Sequence, residues 1–282
     1  MHNKKSMSGF LTNSESWNLS KGEESELEKM EIHALKSLFD LPLHTPSAAI
    51  IYTFGLLYTT QQIDKKQLIY LYKVLNRSNE DPTKKALLGI NEDKIGWSRS
   101  IRNILRKYKL PLDFDTIKSY TRYNWKNTVN AVIEKMNKER LLQDLHRKEN
   151  GMDVPKTKTK SIISKITREG YERSPEPMIL RTKKYEAKTI LIARYGMLDC
   201  GVNFKGTMRP ICVSCNTRDD ENHRMNECPK WGGKFENVTE VDKVNFEDIY
   251  SDDIDIVRAV IKNITEIWNT KNANGSMILN QS

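Results

Sequence analysis

The chain has 282 residues with 46 Lys+Arg against 37 Asp+Glu, a formal charge of +9 and a hydrophobic fraction of 38%. No run approaches the roughly 18 to 20 apolar residues of a bilayer span, and the N-terminal MHNKKSMSGFLTNSESWNLS has lysines without an apolar core behind them, so neither membrane insertion nor a secretory leader is expected. Four cysteines are too few for a disulfide-stapled secreted scaffold, and an intracellular protein of the nucleus or cytoplasm is the expectation.

The charge is unevenly placed. Residues 1–95 carry 12 basic and 12 acidic groups, residues 96–210 carry 26 and 12, and residues 211–282 carry 8 and 13. A positive field concentrated in the middle suits a surface that meets polyanions, although Lys-rich helix faces are also often merely solvated.

In chain order, residues 1–38 read as a flexible, polar lead-in with a partial helix through Leu27, Met30, Leu35 and Leu38. An α-helical basic domain is expected over 39–150. Thr45 followed by Pro46 predicts an N-cap and first turn for a helix with Ile50, Ile51, Phe54 and Leu57 on its apolar face, weakened at Gly55. A second helix is predicted from Asp64 through Leu68, Leu71, Tyr72 and Leu75, and a third from Asp81-Pro82 to Gly89. Trp97 to Tyr108 repeats the spacing with Ile101, Ile104 and Leu105. The longest periodic segment, Ile117 to Lys148, aligns Trp125, Val129, Ile133, Leu141 and Leu145 on one stripe.

Residues 151–178 then read as a basic linker, with Lys156, Lys158 and Lys160 in alternation. Residues 179–235 are expected to hold a helix, about Ile179 to Tyr195, and a small metal module. In the acidic stretch 236–282, Asp253 is expected to cap an amphipathic helix through Ile256, Val257, Val260, Ile261, Ile264, Ile267 and Trp268. The fold class is therefore mainly α: a helical basic domain, a zinc-stabilised CCHC module and a C-terminal amphipathic helix.

The module rests on Cys212-Val-Ser-Cys215, His223 and Cys228, three thiols and an imidazole within 17 residues. This donor set suits one tetrahedral zinc ion, with thiolate bonds near roughly 2.3 Å, and it leaves no open coordination position, so the ion reads as structural. Zinc would also replace hydrophobic core in a segment with few large apolar residues. The competing possibility is a loop of ordinary reduced cysteines. Cys200 reads as a small buried hydrophobe outside the set.

Ala193-Arg-Tyr-Gly-Met-Leu198, the cysteine pair, Asp219-Asp220-Glu221, His223 and Cys228-Pro229 resemble the C-terminal part of reverse transcriptases encoded by non-LTR (LINE-type) retrotransposons. Leu41-Pro-Leu-His-Thr-Pro46, Phe54-Gly55 and the Leu68 to Leu75 helix are similar to the helical region that follows the palm in those proteins. The resemblance spans about residues 36–231. It implies a non-catalytic part that grips element RNA or primed DNA, with an upstream polymerase domain of the same element as a further partner. Arg224 and Met225 stand where the family places larger apolar residues.

No catalytic constellation accompanies this resemblance. Tyr250-Ser-Asp-Asp253 spells the tyrosine-x-Asp-Asp signature of metal-dependent nucleotidyl transfer. It follows the cysteines, however, and opens a helix, where aspartates serve as N-cap and as charge at the positive dipole end. The expected function is binding of RNA or DNA, by Tyr120, Arg122, Tyr123 and Lys126, by Lys156, Lys158 and Lys160, and by Arg181, Lys183 and Lys184. The competing expectation is a zinc-containing protein–protein adaptor that docks a partner on the Ile256 to Trp268 face.

Overall fold

The computed structural model describes residues 11–43, 45–89, 96–149, 152–155, 177–195, 198, 211–212, 214–229 and 245–269, which are mainly helical. The chain divides into two units: residues 1–33, 56–151 and 171–173 form the first, and residues 34–55, 152–170 and 174–282 the second. The stretch 39–55, expected at the start of the basic domain, is thus grouped with the C-terminal half.

From residue 11 on, the lead-in is more ordered than its polarity suggests. Residues Lys21–Leu38 form an 18-residue helix, α1. Its start is fixed by a reciprocal pair: the Ser20 N–H donates to Glu23 Oε2 at 2.7 Å, and the Glu23 N–H donates to Ser20 Oγ at 3.3 Å. This is a capping box, which satisfies two amides that the helix leaves unpaired. The last turn, from residue 34, belongs to the second unit.

In the first unit, helices α3 (Thr59–Leu75), α4 (Pro82–Gly89), α5 (Trp97–Lys107), α6 (Phe114–Ser119) and α7 (Arg122–Leu145) surround one core. Leu68, Leu71, Leu75, Ile101, Leu105, Ile117, Trp125, Val129 and Ile133 are buried in it. Two polar tethers fix the register: Trp125 Nε1 donates to the Leu68 carbonyl and the Tyr72 hydroxyl to the Tyr120 carbonyl, each at 2.9 Å. Residues 11–17 are stitched to the unit where Gln67 Nε2 reaches the Trp17 carbonyl at 2.5 Å and Trp97 Nε1 the Glu15 carbonyl at 3.0 Å.

The single helix expected from Ile117 to Lys148 is broken once, at residues 120 and 121, and ends early. Asp113 caps α6, accepting the Asp115 and Thr116 amides, and Thr121 caps α7, accepting the Asn124 amide. Two caps eight residues apart start two helices where apolar spacing alone suggests one. At the other end α7 stops at Leu145, and short strands follow, β1 (His146–Glu149) and β2 (Met152–Pro155), the latter inside the expected linker.

In the second unit, α2 (Ser47–Thr53) begins differently from its expected cap: the Thr45 hydroxyl donates back to the Pro42 carbonyl at 2.6 Å, and Pro46 takes the N-cap position. Gly55, at φ 59, lies just beyond its end. The helix expected from Ile179 is two helices, α8 (Pro177–Arg181) and α9 (Lys184–Arg194). They are separated where the Glu186 carboxylate accepts the Lys183 N–H at 2.7 Å and starts α9 afresh. Tyr195, 1% exposed, donates its hydroxyl to the Ala49 carbonyl at 2.9 Å and meets Thr53 Oγ1 at 2.5 Å, joining α9 to α2.

Helix α10 (Ile254–Asn269) packs on α9 and on the short helical turn Phe246–Tyr250. Val257, Val260, Ile261, Ile264 and Ile267 are all buried. The Asp253 side chain accepts the Asp255 N–H at 2.9 Å, the capping role expected of it. The Tyr250 hydroxyl donates to the Arg194 carbonyl at 3.1 Å, so the tyrosine-x-Asp-Asp run is a helix entrance. Among the described residues no helix is long and apolar enough to cross a membrane.

Candidate metal centre and basic surface

The hairpin that presents the first two cysteines follows from a few backbone bonds. Ile211 and Arg218 form an antiparallel bridge, the Cys212 N–H donates to the Thr217 carbonyl at 2.7 Å, and the Asn216 N–H donates to the Cys212 carbonyl at 2.8 Å. Asn216 closes the turn at φ 61, a left-handed conformation that Asn tolerates better than most residues. The other two donors are held by one irregular helical turn of π type, His223–Glu227: His223 opens it and Cys228 follows its end in an extended conformation. Asp220 Oδ1 accepts the His223 N–H at 2.9 Å, and the Cys228 N–H reaches back to the His223 carbonyl at 2.7 Å.

These two pieces bring Cys212, Cys215, His223 and Cys228 together, with one donor atom from each lying within 4.8 Å of the others. Cys212 Sγ and Cys228 Sγ are 3.7 Å apart. Two thiolates on one tetrahedral zinc at about 2.3 Å stand about 3.8 Å apart, so this pair already has a ligand spacing. His223 Nε2 lies 3.1 Å from Cys215 Sγ, and its other nitrogen, Nδ1, lies 3.1 Å from Thr217 Oγ1 and 3.7 Å from Glu227 Oε2. The Thr217 hydroxyl also lies 3.2 Å from Nε2, so it packs against the ring edge between the two nitrogens, while Glu227 stands on the Nδ1 side, where a carboxylate would support an imidazole holding a metal through Nε2.

Electrostatics favour thiolates. Burial works against the charged form of Cys212, yet the Ser214 and Cys215 amides and His223 outweigh it and lower its pKa. The Cys215 thiol is lowered mainly by the Thr217 hydroxyl and amide. Three of the four donor residues are buried and Cys215 is half-buried, so the set is closed around whatever it holds.

The resemblance leaves Arg224 and Met225 in place of larger apolar side chains, and the structure shows how they are accommodated. Met225 is 2% exposed. Arg224 is buried against Asp219, with Nε and its terminal nitrogen each 2.5 Å from a carboxylate oxygen. This bidentate pair, and the Asp220 cap, are missed by a reading that looks only for metal donors. The signal available in the sequence is the Asp219-Asp220 doublet just before His223.

The basic positions fare differently. On α7, Arg122, Tyr123 and Lys126 are exposed, Tyr123 by 73%, while Tyr120 is half-buried and packs edge-on against Trp125 at 5.6 Å between centroids. Residues three and four apart on a helix are surface neighbours, so Arg122, Tyr123 and Lys126 form one patch. Arg181, Lys183 and Lys184 are exposed, and Lys184 faces Asp40 at 3.5 Å. Lys156, Lys158, Lys160 and Cys200 lie outside the described residues. Of the other aromatics in the basic stretch, Trp125 and Tyr108 belong to the core. Of the Ile256 to Trp268 face considered for an adaptor, Val257, Val260, Ile261, Ile264 and Ile267 are buried and Ile256 is 38% exposed, while the Trp268 side chain lies outside the described residues.

No family model, curated protein or solved structure matches the chain.

Proposed function

We propose that this chain binds nucleic acid without catalysing a reaction, as the portion of a retroelement reverse transcriptase that follows the palm, and that its Cys3His cluster holds one structural zinc ion. The observation that carries the binding is the state of the cations on α7. Arg122, Lys126 and Lys135 are exposed and Lys138 is half-exposed, and none of the four forms an ion pair among the described residues. Arg140, farther along the same helix, is by contrast engaged with Glu28 at 2.7 Å. Unpaired cations beside an exposed tyrosine suit a phosphate backbone and a stacked base. The 3.7 Å sulfur pair supports the zinc assignment.

The test is fluorescence anisotropy of a labelled single-stranded RNA or DNA against the full chain across a salt series. Neutralising about five phosphates gives a slope of log K against log salt of roughly −3.5 to −4.5. Joint reversal at Arg122→Glu and Lys126→Glu should flatten that slope by about 1.5. A slope near zero for the unaltered chain defeats the reading. The origin of the chain is tested separately, by sequencing the transcript upstream of the Met1 codon for a palm with its three carboxylates.

A further inference from the structure

The four donors of the candidate metal centre are not equally reachable. Cys212 is 4% exposed and Cys228 is fully buried, whereas Cys215 is half-buried. A reagent dissolved in water therefore meets Cys215 first. Thr217 Oγ1 and His223 Nε2, each 3.1 Å from its Sγ, are placed to support that sulfur as a thiolate, the form that attacks an oxidant.

The two buried sulfurs form a pair of their own. Cys212 Sγ and Cys228 Sγ stand 3.7 Å apart and come from different pieces of the module, the hairpin and the residue that follows the π turn. A disulfide holds its sulfurs about 2.05 Å apart, so closing one here asks for a movement of about 1.7 Å shared between two side chains.

The frame around the pair is built from bonds that involve no ion. Ile211 and Arg218 bridge the hairpin, Asp220 accepts the His223 N–H at 2.9 Å, the Cys228 N–H donates to the His223 carbonyl at 2.7 Å, and the Arg224 guanidinium is paired with Asp219. These bonds shape the hairpin and the turn, and the sulfur set clamps one to the other. A covalent bond between residues 16 positions apart restricts the loop between them as a shared metal ion does, so either can serve as the clamp.

We propose that the cluster is an oxidation switch, in which a peroxide acts at Cys215 and the module exchanges its zinc ion for a disulfide between Cys212 and Cys228. The zinc half of this statement rests on the assignment made above, and the disulfide half on the placement of the sulfurs. The Cys215 thiolate attacks the peroxide, forming an S–O bond as the O–O bond breaks and hydroxide leaves. One buried thiolate then attacks the resulting sulfenic acid, forming an S–S bond and expelling a second hydroxide. The other buried thiolate, 3.7 Å from its neighbour, attacks the buried sulfur of that bond, and Cys215 departs as the thiolate. Two thiolates have then given two electrons to the peroxide, and the two hydroxides take protons from the solvent. With one thiolate and His223 left as donors, the ion is released. Reduction runs back through Cys215, the thiol that joins the buried bond to solvent.

The experiment treats the zinc-loaded full chain with stoichiometric hydrogen peroxide, reads released zinc with a chromogenic chelator and maps the thiols by peptide mass spectrometry after alkylation. One zinc should leave per disulfide, the disulfide should join Cys212 to Cys228, and Cys215 should remain open to alkylation. Dimedone present from the start should capture sulfenic acid at Cys215. Amide protection across residues 211–229 should persist in the oxidised chain and collapse in the reduced chain stripped by a chelator. Dithiothreitol followed by zinc should restore the starting form. Cys200→Ser, which removes the cysteine outside the set, should give the same map. The proposal is overturned by zinc that stays bound under peroxide able to consume free cysteine, by dimedone on Cys212 or Cys228 in place of Cys215, by a disulfide to Cys200, or by sulfinic acid with no disulfide. A chain that purifies without zinc yet forms the Cys212 to Cys228 bond sinks the zinc assignment and supports the disulfide.

Discussion

Arg224 and Asp219 form a bidentate ion pair in which both side chains are nearly out of solvent, 9% and 8% exposed. They flank His223, so the pair ties the loop before the turn His223–Glu227 to the turn itself, which begins with one candidate metal donor and leads into another, Cys228. Removing one member of a buried pair leaves the other charged and unsolvated, at a cost of about 3 to 5 kcal/mol. Asp219→Ala should therefore speed amide exchange across residues 211–229 and make zinc easier to strip with a chelator. Asp219→Leu combined with Arg224→Met should recover much of that loss, because it removes both charges and restores apolar bulk.

One zinc per chain is expected from elemental analysis. Cys212→Ser or Cys228→Ser should abolish it, since each removes a buried donor from a closed set and a module that relies on metal unfolds locally without it. Loss of protection should be confined to the module and to the α10 surface packed on the His223–Glu227 turn. A chain that carries no metal yet protects those amides would refute the structural role.

Glu28 and Glu31, one turn apart on α1, should respond to pH with opposite signs. Burial opposes the Glu28 carboxylate, but the Arg140 and Thr60 hydrogen bonds outweigh it and lower its pKa. Glu28 thus contributes stability above the ordinary carboxylate range that is lost as pH falls through the lowered value. Burial raises Glu31 in spite of its bonds from Thr59 and Gln62. Its charged form opposes folding, so its contribution is most favourable in acid and declines as pH rises through the raised value. At neutral pH Glu28→Gln should lower the thermal midpoint and Glu31→Gln should raise it. The Glu31→Gln gain should shrink when the melt is repeated in acid.

Trp125→Phe tests the centre of the first unit. The indole is 1% exposed and satisfies the Leu68 carbonyl in the middle of α3. The substitution removes that bond and leaves a small void, together about 2 to 4 kcal/mol. Denaturant melts should show the loss in the first unit, and zinc content should stay unchanged.

How far the sequence spoke depends on the kind of signal. That Cys212, Cys215, His223 and Cys228 come together was legible because ligand chemistry restricts both residue type and spacing. The start of α4 was legible for a similar reason: Asp81 accepts the Thr83 and Lys84 amides just as an Asp-Pro pair suggests. Apolar period alone misled where local bonds intervene. It merged α6 with α7 and α8 with α9, because Thr121 and Glu186 end one helix and begin another without disturbing the stripe. The Ser20 to Glu23 capping box was passed over in a segment whose polarity suggested a flexible tail.

Residues 34–55 are completed by a chain that is synthesised much later. The Ala49 carbonyl waits for the Tyr195 hydroxyl, 146 positions on. At about 5 to 20 residues per second the ribosome needs roughly 7 to 30 s to cover that distance. During that interval Ala48, Ala49, Ile50 and Ile51, all buried in the finished protein, emerge before the residue that ties them down. Nascent chains stalled between residues 60 and 190 should be strong clients of holdase chaperones, and release should coincide with the appearance of α9.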